Sequence, residues 1–464
     1  MAEKLIAETL AQFAGGLGHE DIPAAVRERA RYLILDAVGV ALAATREDFA
    51  RATVDGFGAF GSGPGVVLGM RERLGVRDAV AANGVLVHGL DYDDTHPEGV
   101  IHSTASCFPA ALGAAAHAGA SGRDLLTAFI IGTEVSARLG MVAKGAFHEA
   151  GFHPAGTLSP FACALIAGKL YGLNVDQLVM AQGIAISTGS SSSRQFNREG
   201  AGTKRLHPGW GAAAGLTAAA LARSGFTGPR AVYEGDYGLY PIHLGARYAQ
   251  CDLAVASAGL GTEWETLKVA FKPIPACLHL HAVIDAATAL AKAHAFGPED
   301  IASVQALVPR QAVQVVCEPI ERRRRPANTY SAQTSLPYAV ATALVRGRFS
   351  LLDVEPEALD DARVHAVADK VQYAIDPNSG YPKYFSGEVI VRLKNGQEFT
   401  HREHVNRGCP DRPLTDEEIE RKFRENAELV VSPARAAAIA EAVLAIDRPV
   451  GLAAFEALLA APAT

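Results

Sequence analysis

The sequence predicts a mainly α fold, in which a large all-helical domain formed by both chain ends carries a smaller inserted α+β lid domain. Ala-, Leu- and Gly-rich segments with helical spacing fill residues 1–268. Residues 269–405 contain β-branched runs and a hairpin signal instead. Helical texture returns over residues 406–464. We therefore expect the helical domain at 1–268 and 406–464, and the lid domain at 269–405.

Apolar residues at helical spacing predict a series of helices in the first domain. Pro23 suits the first turn of a helix, and apolar residues keep helical spacing from Ala25 to Val38. Small residues at high density allow helices to approach closely, which favours a bundle with buried central helices. Further helices are predicted near 77–90, 105–120, 123–141, 157–171, 175–190 and 208–224.

The lid domain is predicted to combine strands with two helices. Residues 304–316 are rich in β-branched side chains and predict a strand. Residues 387–405 alternate apolar and polar side chains around Asn395-Gly396, which is typical of a hairpin with a type I′ turn. The two helices are predicted at 281–296 and 331–346.

Two capping signals mark the return to helices near the end of the chain. Thr415 and Glu418 have the spacing of a capping box. Ser432-Pro433 is a second helix start, which precedes an Ala-rich pair of helices. Both signals place helices in the C-terminal part of the helical domain.

The composition excludes several classes of partner. The 464 residues are 49% hydrophobic and 20% charged, with a net charge of -7, which argues against a nucleic-acid or membrane surface. No uninterrupted apolar run approaches the roughly 20 residues that a membrane span needs. Six scattered cysteines without a CxxC pair indicate a reduced protein. We expect a cytoplasmic location.

The segment from His88 to His96, followed by His102, concentrates ionisable groups between apolar stretches. It contains Asp91, Asp93, Asp94 and Thr95. Burial penalises unpaired charge, so such a cluster indicates a site that binds or moves protons. Two alternatives stay open, namely that the acidic residues cap a helix and form salt bridges, or that they bind Mg²⁺.

Other clusters supply cations, imidazoles and hydroxyls. They are His153 before a proline, Lys204-Arg205, the run from Lys272 to His281, and Tyr330. This inventory suits a small di- or tricarboxylate, because carboxylates bind Arg, Lys and hydroxyl donors. No dinucleotide or Walker fingerprint is present, so no cofactor is predicted. His153 as a helix cap and Lys204-Arg205 as an exposed turn are the structural alternatives, and His88 and His148 are interpreted as structural.

Several segments resemble the MmgE/PrpD family, which includes 2-methylcitrate dehydratase, cis-aconitate decarboxylase and iminodisuccinate epimerase. They are Ala-Asn-Gly-Val-Leu-Val-His-Gly-Leu-Asp-Tyr-Asp-Asp-Thr-His at 82–96, Thr-Lys-Arg-Leu-His-Pro-Gly-Trp at 203–210, Lys-Pro-Ile-Pro-Ala-Cys at 272–277, Ser-Leu-Pro-Tyr-Ala-Val-Ala at 335–341 and Asn-Arg-Gly-Cys-Pro-Asp-Arg-Pro-Leu-Thr at 406–415. The resemblance implies a homodimer whose cleft between domains works without an organic cofactor or metal.

The resemblance also implies site residues, at positions that match the family's motifs. Together with the clusters it gives an expected catalytic set and an expected substrate-binding set. This chain departs from the family pattern at Ser103, where many members have proline, and at Leu278, where an arginine is often found. The expected catalytic residues are Asp91, His102, His153, Lys204 and Lys272, and the expected substrate-binding residues are Thr95, Arg205, His281 and Tyr330.

The expected function is that of a lyase that transfers a proton alpha to a carboxylate of a small di- or tricarboxylate. Dehydration of a 2-methylcitrate-like substrate is the leading hypothesis, with His102 or Lys204 moving the proton and Asp91 orienting an imidazole. The alternatives are decarboxylation of a cis-aconitate-type substrate and cofactor-free epimerisation of an amino- or imino-dicarboxylate. A metal-dependent hydrolase and a non-catalytic scaffold are the rivals from other classes.

Overall fold

The computed structural model describes residues 4–189, 192–196, 201–381, 383–448 and 452–460. The chain forms two compact units, Met1–Phe271 with Thr415–Thr464 and Lys272–Leu414. Helices dominate the first unit, and the larger of two small sheets belongs to the second. The mainly α fold with a small α+β part is confirmed.

The second unit begins at Lys272 and ends at Leu414, whereas the sequence predicted 269 and 405. Side chains explain why residues 406–414 stay with this unit. Arg407 forms an ion pair with Asp285, at 2.8 Å between Nη2 and Oδ1. Arg412 binds Glu403 and donates to the Val405 carbonyl, at 2.8 Å. The chain therefore returns to the first, helical unit only at Thr415, the first residue of the capping box.

Long helices make up the N-terminal part of the first unit. A small two-stranded sheet, β1 Ser62–Val66 and β2 Arg73–Leu74, accompanies them and was not predicted. The predicted helices near 77–224 are confirmed in place, and Ser190, the last residue of the predicted helix 175–190, lies outside the described residues. The helices are α1 Ile6–Gly16, α2 Ala24–Ala44, α3 Asp48–Gly58, α4 Val76–His88, α5 Thr104–Ala118, α6 Gly122–Val142, α7 Ala146–Glu149, α8 Pro154–Thr157, α9 Ser159–Leu170, α10 Val175–Thr188, α11 Leu206–Arg223 and α12 Leu239–Leu244.

The second unit packs helices against a four-stranded sheet. Its strands are β3 Ile301–Val308, β4 Val371–Ile375, β5 Gly387–Leu393 and β6 Glu398–Glu403, in the order β4-β3-β5-β6. β3 and β4 are parallel, and the other neighbouring pairs are antiparallel. The predicted β5–β6 hairpin is confirmed, with Gly396 at a φ of 88°. The helices are α13 His281–Ala293, α14 Ile320–Arg324, α15 Thr329–Gln333, α16 Leu336–Arg346 and α17 Ala362–Ala368.

The predicted strand over 304–316 was wrong in its second half. β3 ends at Val308, and residues Val313–Cys317 form a π-helical turn. Pro309 follows the strand directly and has no N–H group to continue the ladder. Strand β4, which pairs with β3 from far along the chain, was not predicted.

The C-terminal helices return to the first unit as α18 Asp416–Ala427, α19 Pro433–Leu444 and α20 Leu452–Leu459. The Thr415 hydroxyl accepts from the Glu418 amide, which confirms the capping box. α18 packs on α2 so closely that a Cβ on Gly39 would lie 3.2 Å from the Phe423 Cα. A buried ion pair joins the same helices, at 2.6 Å between Lys422 Nζ and Asp36 Oδ1.

Helix α6 is long and apolar enough to cross a membrane, but 94% of its most apolar window is buried inside the protein. Its polar side chains Glu134 and Arg138 are buried and paired: Arg138 lies 3.5 Å from Glu134 and 3.1 Å from Glu265. Helix α6 is therefore a buried helix of the core of the first unit.

Helix α4 crosses helix α11 through two glycines. A Cβ on Gly84 would lie 2.3 Å from the Gly209 Cα, and a Cβ on Gly209 would lie 2.1 Å from the Ala81 carbonyl oxygen. Only a backbone without side chains fits there. His88 lies one turn beyond Gly84, and Lys204 to His207 lead into Gly209, so the crossing brings the acidic and basic segments together.

We expect Gly84→Ala to lower the free energy of unfolding by about 1–3 kcal/mol or more, because the added methyl group overpacks the helix crossing. The matched control is Gly56→Ala, where a Cβ meets nothing within 4 Å. Gly56 lies on the exposed face of helix α3, so the control should gain about 0.5–1 kcal/mol. Denaturant unfolding of both variants measures the difference. Equal effects would contradict the close crossing.

Candidate active site

The site is built on the loop that follows helix α4. This helix ends at His88, and Asp91 adopts a φ of 51°, in the left-handed region. The Asp91 amide donates to the His88 carbonyl at 3.0 Å, which turns the chain sharply. The turn buries Asp93 and Asp94, and helix α5 begins soon afterwards at Thr104.

Asp93 orients two imidazoles. Its Oδ2 lies 2.8 Å from His88 Nδ1 and 3.6 Å from His102 Nδ1. His102 Nδ1 also donates to the Asp94 carbonyl at 2.7 Å and lies 3.2 Å from the Thr95 hydroxyl. A carboxylate that holds an imidazole in one orientation is the usual support for a histidine acid or base.

A second pair of imidazoles completes a cluster that we call the histidine cluster: His88, His102, His153 and His207. The Nδ1 atoms of His153 and His207 lie 3.1 Å apart. The His153 ring stacks on His88 at 5.5 Å between centroids and lies 6.0 Å from His102. His153 sits directly before Pro154, and its amide donates to the Ser192 carbonyl, so backbone contacts fix its place.

Burial disfavours the protonated form of His153 and His207, and of the adjacent His148. Burial, followed by the neighbouring His88 and Lys204, lowers the pKa of His153 well below its usual value. The same three influences lower the pKa of His207 to about 4. Burial also lowers the pKa of the adjacent His148 to about 3, with Arg194 and Lys204 contributing. These rings are therefore neutral near neutral pH.

Lys204 and Asp91 form the ionic part of the site. Lys204 Nζ lies 2.8 Å from Asp91 Oδ1, and both side chains are partly exposed. The sequence predicts that Asp91 orients an imidazole, whereas in the structure Asp93 contacts two imidazoles and Asp91 pairs with Lys204. A half-buried ammonium beside imidazoles suits the binding of a carboxylate.

Arg205 and Thr95 lie next to the loop after helix α4, and contacts with backbone groups hold both residues in place. Arg205 Nε donates to the Gly89 carbonyl at 2.8 Å, and its guanidinium lies 4.4 Å from the centroid of the Phe49 ring. Thr95 pairs with Ala270 through both backbone bonds, at 2.9 and 2.8 Å. The expected substrate-binding role of both residues stays a prediction.

Three residues of the expected site lie in the second unit. Lys272 is the first residue of that unit. His281 begins helix α13 and donates from Nε2 to the Ala276 carbonyl at 3.1 Å. Tyr330 lies on helix α15, where its carbonyl accepts from the Thr334 hydroxyl. The part of these residues in the chemistry stays a prediction.

Two family models match the chain in order. The MmgE/PrpD N-terminal domain matches residues 8–251, and the MmgE/PrpD C-terminal domain matches residues 274–448. The chain belongs to the MmgE/PrpD family. The N-terminal family domain carries the whole histidine cluster, and the C-terminal one covers the second unit and continues into the helices that return to the first unit.

Relatives within this family carry the name cis-aconitate decarboxylase. The protein of Homo sapiens is 29% identical over 449 residues, which cover 93% of this chain and 90% of the relative. That of Aspergillus terreus is 28% identical over 475 residues, which cover 96% and 94%. Cis-aconitate decarboxylase-like protein oryM of Aspergillus oryzae is 28% identical over 450 residues, which cover 92% and 91%.

Sequence reasoning missed three members of the site of this MmgE/PrpD chain. His88 was interpreted as structural, Asp93 was left out of the catalytic set, and His207 was placed in the cluster with Lys204 and Arg205 but given no role. The sequence contains a signal for Asp93, because this residue lies in the short segment between His88 and His102. His96, from the same segment, instead contacts Glu265, with Nε2 3.1 Å from Oε2.

The three aspartates of the loop have three different partners. Asp91 pairs with Lys204, Asp93 with His88, and Asp94 Oδ1 accepts from the Thr104 amide at 3.4 Å. Burial raises the pKa of Asp94 to about 7, and the negative charges of Asp93 and Asp36 add to this effect. Asp94 is therefore a carboxyl group that the fold favours in its neutral form.

We expect Asp94→Asn to stabilise the protein in a pH-dependent way. The unfolded carboxyl loses its proton near pH 4, so the folded chain holds the extra proton between about pH 4 and pH 7 and loses stability as the pH rises through that range. The variant should match the parent near pH 4 and exceed its free energy of unfolding by up to about 4 kcal/mol near pH 8.

Urea unfolding of both proteins across this pH range measures the difference. The exposed Asp236→Asn is the control, and its difference from the parent should stay constant with pH. A pH-independent difference for Asp94→Asn would contradict the buried, neutral carboxyl group.

Proposed function

We propose that this chain is a lyase that transfers a proton at the carbon alpha to a carboxylate of a small di- or tricarboxylate. One observation carries the proposal: Lys204 and Asp91, at 2.8 Å, lie beside imidazoles that Asp93 and the Asp94 carbonyl orient. Cations bind the substrate's carboxylates, and an oriented imidazole moves a proton. Family membership supports this reading.

His102 fits the role of the group that gives or takes the proton. The Asp94 carbonyl, the Thr95 hydroxyl and Asp93 surround its Nδ1 and hold the ring in one orientation. Its side chain keeps 13% of its accessible surface, whereas that of His88 keeps 0%, so a substrate reaches His102 more easily. Lys204 fits the role of carboxylate holder.

Decarboxylation of a cis-aconitate-type tricarboxylate is the reaction that we favour within this class. The names of the relatives from Homo sapiens and two Aspergillus species support it. In such a reaction the bond between carbon and carboxylate breaks, CO₂ leaves, and the electron pair shifts through the double bond to a carbon that takes a proton. This chemistry requires one proton donor and an anchor for the remaining carboxylates.

Dehydration of a 2-methylcitrate-like substrate is the second candidate. It needs a base for the alpha proton and a separate acid for the departing hydroxide. Two different acid–base groups, His102 with Asp93 and Lys204 with Asp91, lie in the first unit and favour this candidate. The two reactions differ in their products, so they are distinguishable by experiment.

The test incubates the purified protein in D₂O with cis-aconitate, with 2-methylcitrate and with amino- and imino-dicarboxylates. We expect CO₂ release with one deuterium in the product from a tricarboxylate. An alkene without CO₂ would indicate dehydration, and deuterium exchange alone would indicate epimerisation. Retained activity in a chelator argues against a metal-dependent hydrolase. No turnover of any of these acids would overturn the proposal.

We expect His102→Gln to lower kcat by about 100- to 10,000-fold, as loss of a positioned acid or base does. His117→Gln is the matched control, because His117 is exposed at the end of helix α5, with its ring against Tyr171. The control should keep the parent's kcat. Full turnover by His102→Gln would contradict the assignment.

We also propose that the chain acts as a homodimer in the cytoplasm. Large apolar side chains of the first unit are exposed, among them Trp210, Phe226, Tyr237 and Ile242, and such side chains are common in interfaces. All six cysteines are free thiols, which suits a reducing compartment. Light scattering of the purified protein should give twice the mass of 48.6 kDa; a monomer at micromolar concentration would contradict the dimer.

A further inference from the structure

Three imidazoles of the histidine cluster converge on one point. One ring nitrogen from each of His88, His102 and His153 lies within 4.8 Å of the other two. His88 and His153 are buried, and His102 is nearly so. All three belong to the first unit, so their arrangement depends on a single packed body. Convergence of three imidazoles is the usual arrangement of a three-histidine metal site.

An independent observation points to a ligand at the same place. His88 Nε2 is buried and has no hydrogen-bond partner among the described residues, while the whole residue is 1% exposed. A buried polar atom without a partner costs about 1–3 kcal/mol. Its Nδ1 is engaged by Asp93, so the ring cannot turn to relieve the cost without losing that bond.

Hydrogen bonds and close contacts of the Nδ1 atoms hold the three rings in their orientations. His88 Nδ1 donates to Asp93 at 2.8 Å, and His102 Nδ1 donates to the Asp94 carbonyl at 2.7 Å. His153 Nδ1 contacts His207 Nδ1 at 3.1 Å, a bond in which His153 is able to donate. Histidines that bind metals are held in this way, with the second nitrogen donating to a carboxylate, a carbonyl or another acceptor.

The charge of the pocket also suits a cation that binds imidazoles. The negative groups that face the cluster are Asp93 and Asp91, and Asp91 is neutralised by Lys204. Asp93 therefore supplies one compensating charge, as in carboxylate–histidine–zinc arrangements.

We propose that His88, His102 and His153 form a binding site for one zinc ion, and that the bound ion inhibits the proposed lyase reversibly. Zinc prefers imidazole ligands and accepts three from a protein, with the fourth position left to water or a carboxylate. The inhibition rests on the proposed function, whereas the binding does not.

The inhibition follows because the His102 imidazole binds the zinc ion and also transfers the proton in the proposed reaction. A zinc ion at about 2.0 Å from three nitrogens holds them about 3.3 Å apart. The rings, at up to 4.8 Å, therefore close by small rotations. The bound ion then occupies the lone pair with which His102 takes a proton. It also fills the space in which the reacting carbon has to lie.

The binding is tested first without substrate. The full chain, stripped with a chelator, is titrated with zinc at free concentrations fixed by a metal buffer, and cobalt is used as a spectroscopic probe. We expect one strong zinc site and the intense visible absorption of tetrahedral cobalt. His88→Gln and His153→Gln should each weaken the binding by about 100-fold or more, and Asp93→Asn by about 10- to 100-fold.

His117→Gln is the matched control and should bind zinc as the parent does, since His117 lies outside the cluster on helix α5. Circular dichroism checks that each variant folds. If a histidine variant does not fold, Asp93→Asn still tests the site, because it leaves all three imidazoles in place. Binding that persists unchanged in His88→Gln, His153→Gln and Asp93→Asn would overturn the site, because other ligands, such as the partly exposed thiols of Cys251 and Cys277, would then explain it.

The inhibition is tested second, with the substrate identified in the lyase assay. We expect zinc to raise the apparent KM without lowering kcat, and the chelator to restore the rate. Zinc that binds at the cluster while the rate stays unchanged would overturn the inhibitory role. A chain without lyase activity that still shows the cobalt spectrum would refute the proposed function and retain the metal site.

Discussion

The crossing of helices α4 and α11 through Gly84 and Gly209 is the constraint on which the site depends. Two backbones in contact leave no room for side chains, so the ends of both helices meet within a few ångströms. This is how His88, at the end of one helix, and Lys204, before the start of the other, come to flank the same loop. Arg205 secures the contact by donating to the Gly89 carbonyl.

The three aspartates of the loop after helix α4 differ in burial, and they therefore have different roles. Asp91 stays partly exposed and neutralises Lys204, Asp93 orients His88 and His102, and Asp94 is buried with a pKa near 7. Desolvation also lowers the pKa of His153 and His207, so burial opposes a charge on these two rings. A site of this kind moves protons readily and also offers lone pairs to a cation.

Local signals made most of the fold predictable, and long-range packing explains the rest. The turn at Gly396 and the capping box at Thr415 depend on a few adjacent residues, so the sequence alone predicts them. Strand β4 pairs with a partner far along the chain. Asp91 and Lys204 could be selected by their chemistry, whereas the role of His88 depends on a helix crossing that no local pattern reveals.

A crystal structure of the protein with a non-reactive saturated tricarboxylate tests the central claim most directly. The account predicts a carboxylate at Lys204 Nζ and the ligand's central carbon beside the His102 ring, on the side away from Nδ1. A ligand bound elsewhere, with the Lys204–Asp91 pair and the histidine cluster unchanged and untouched, would contradict it.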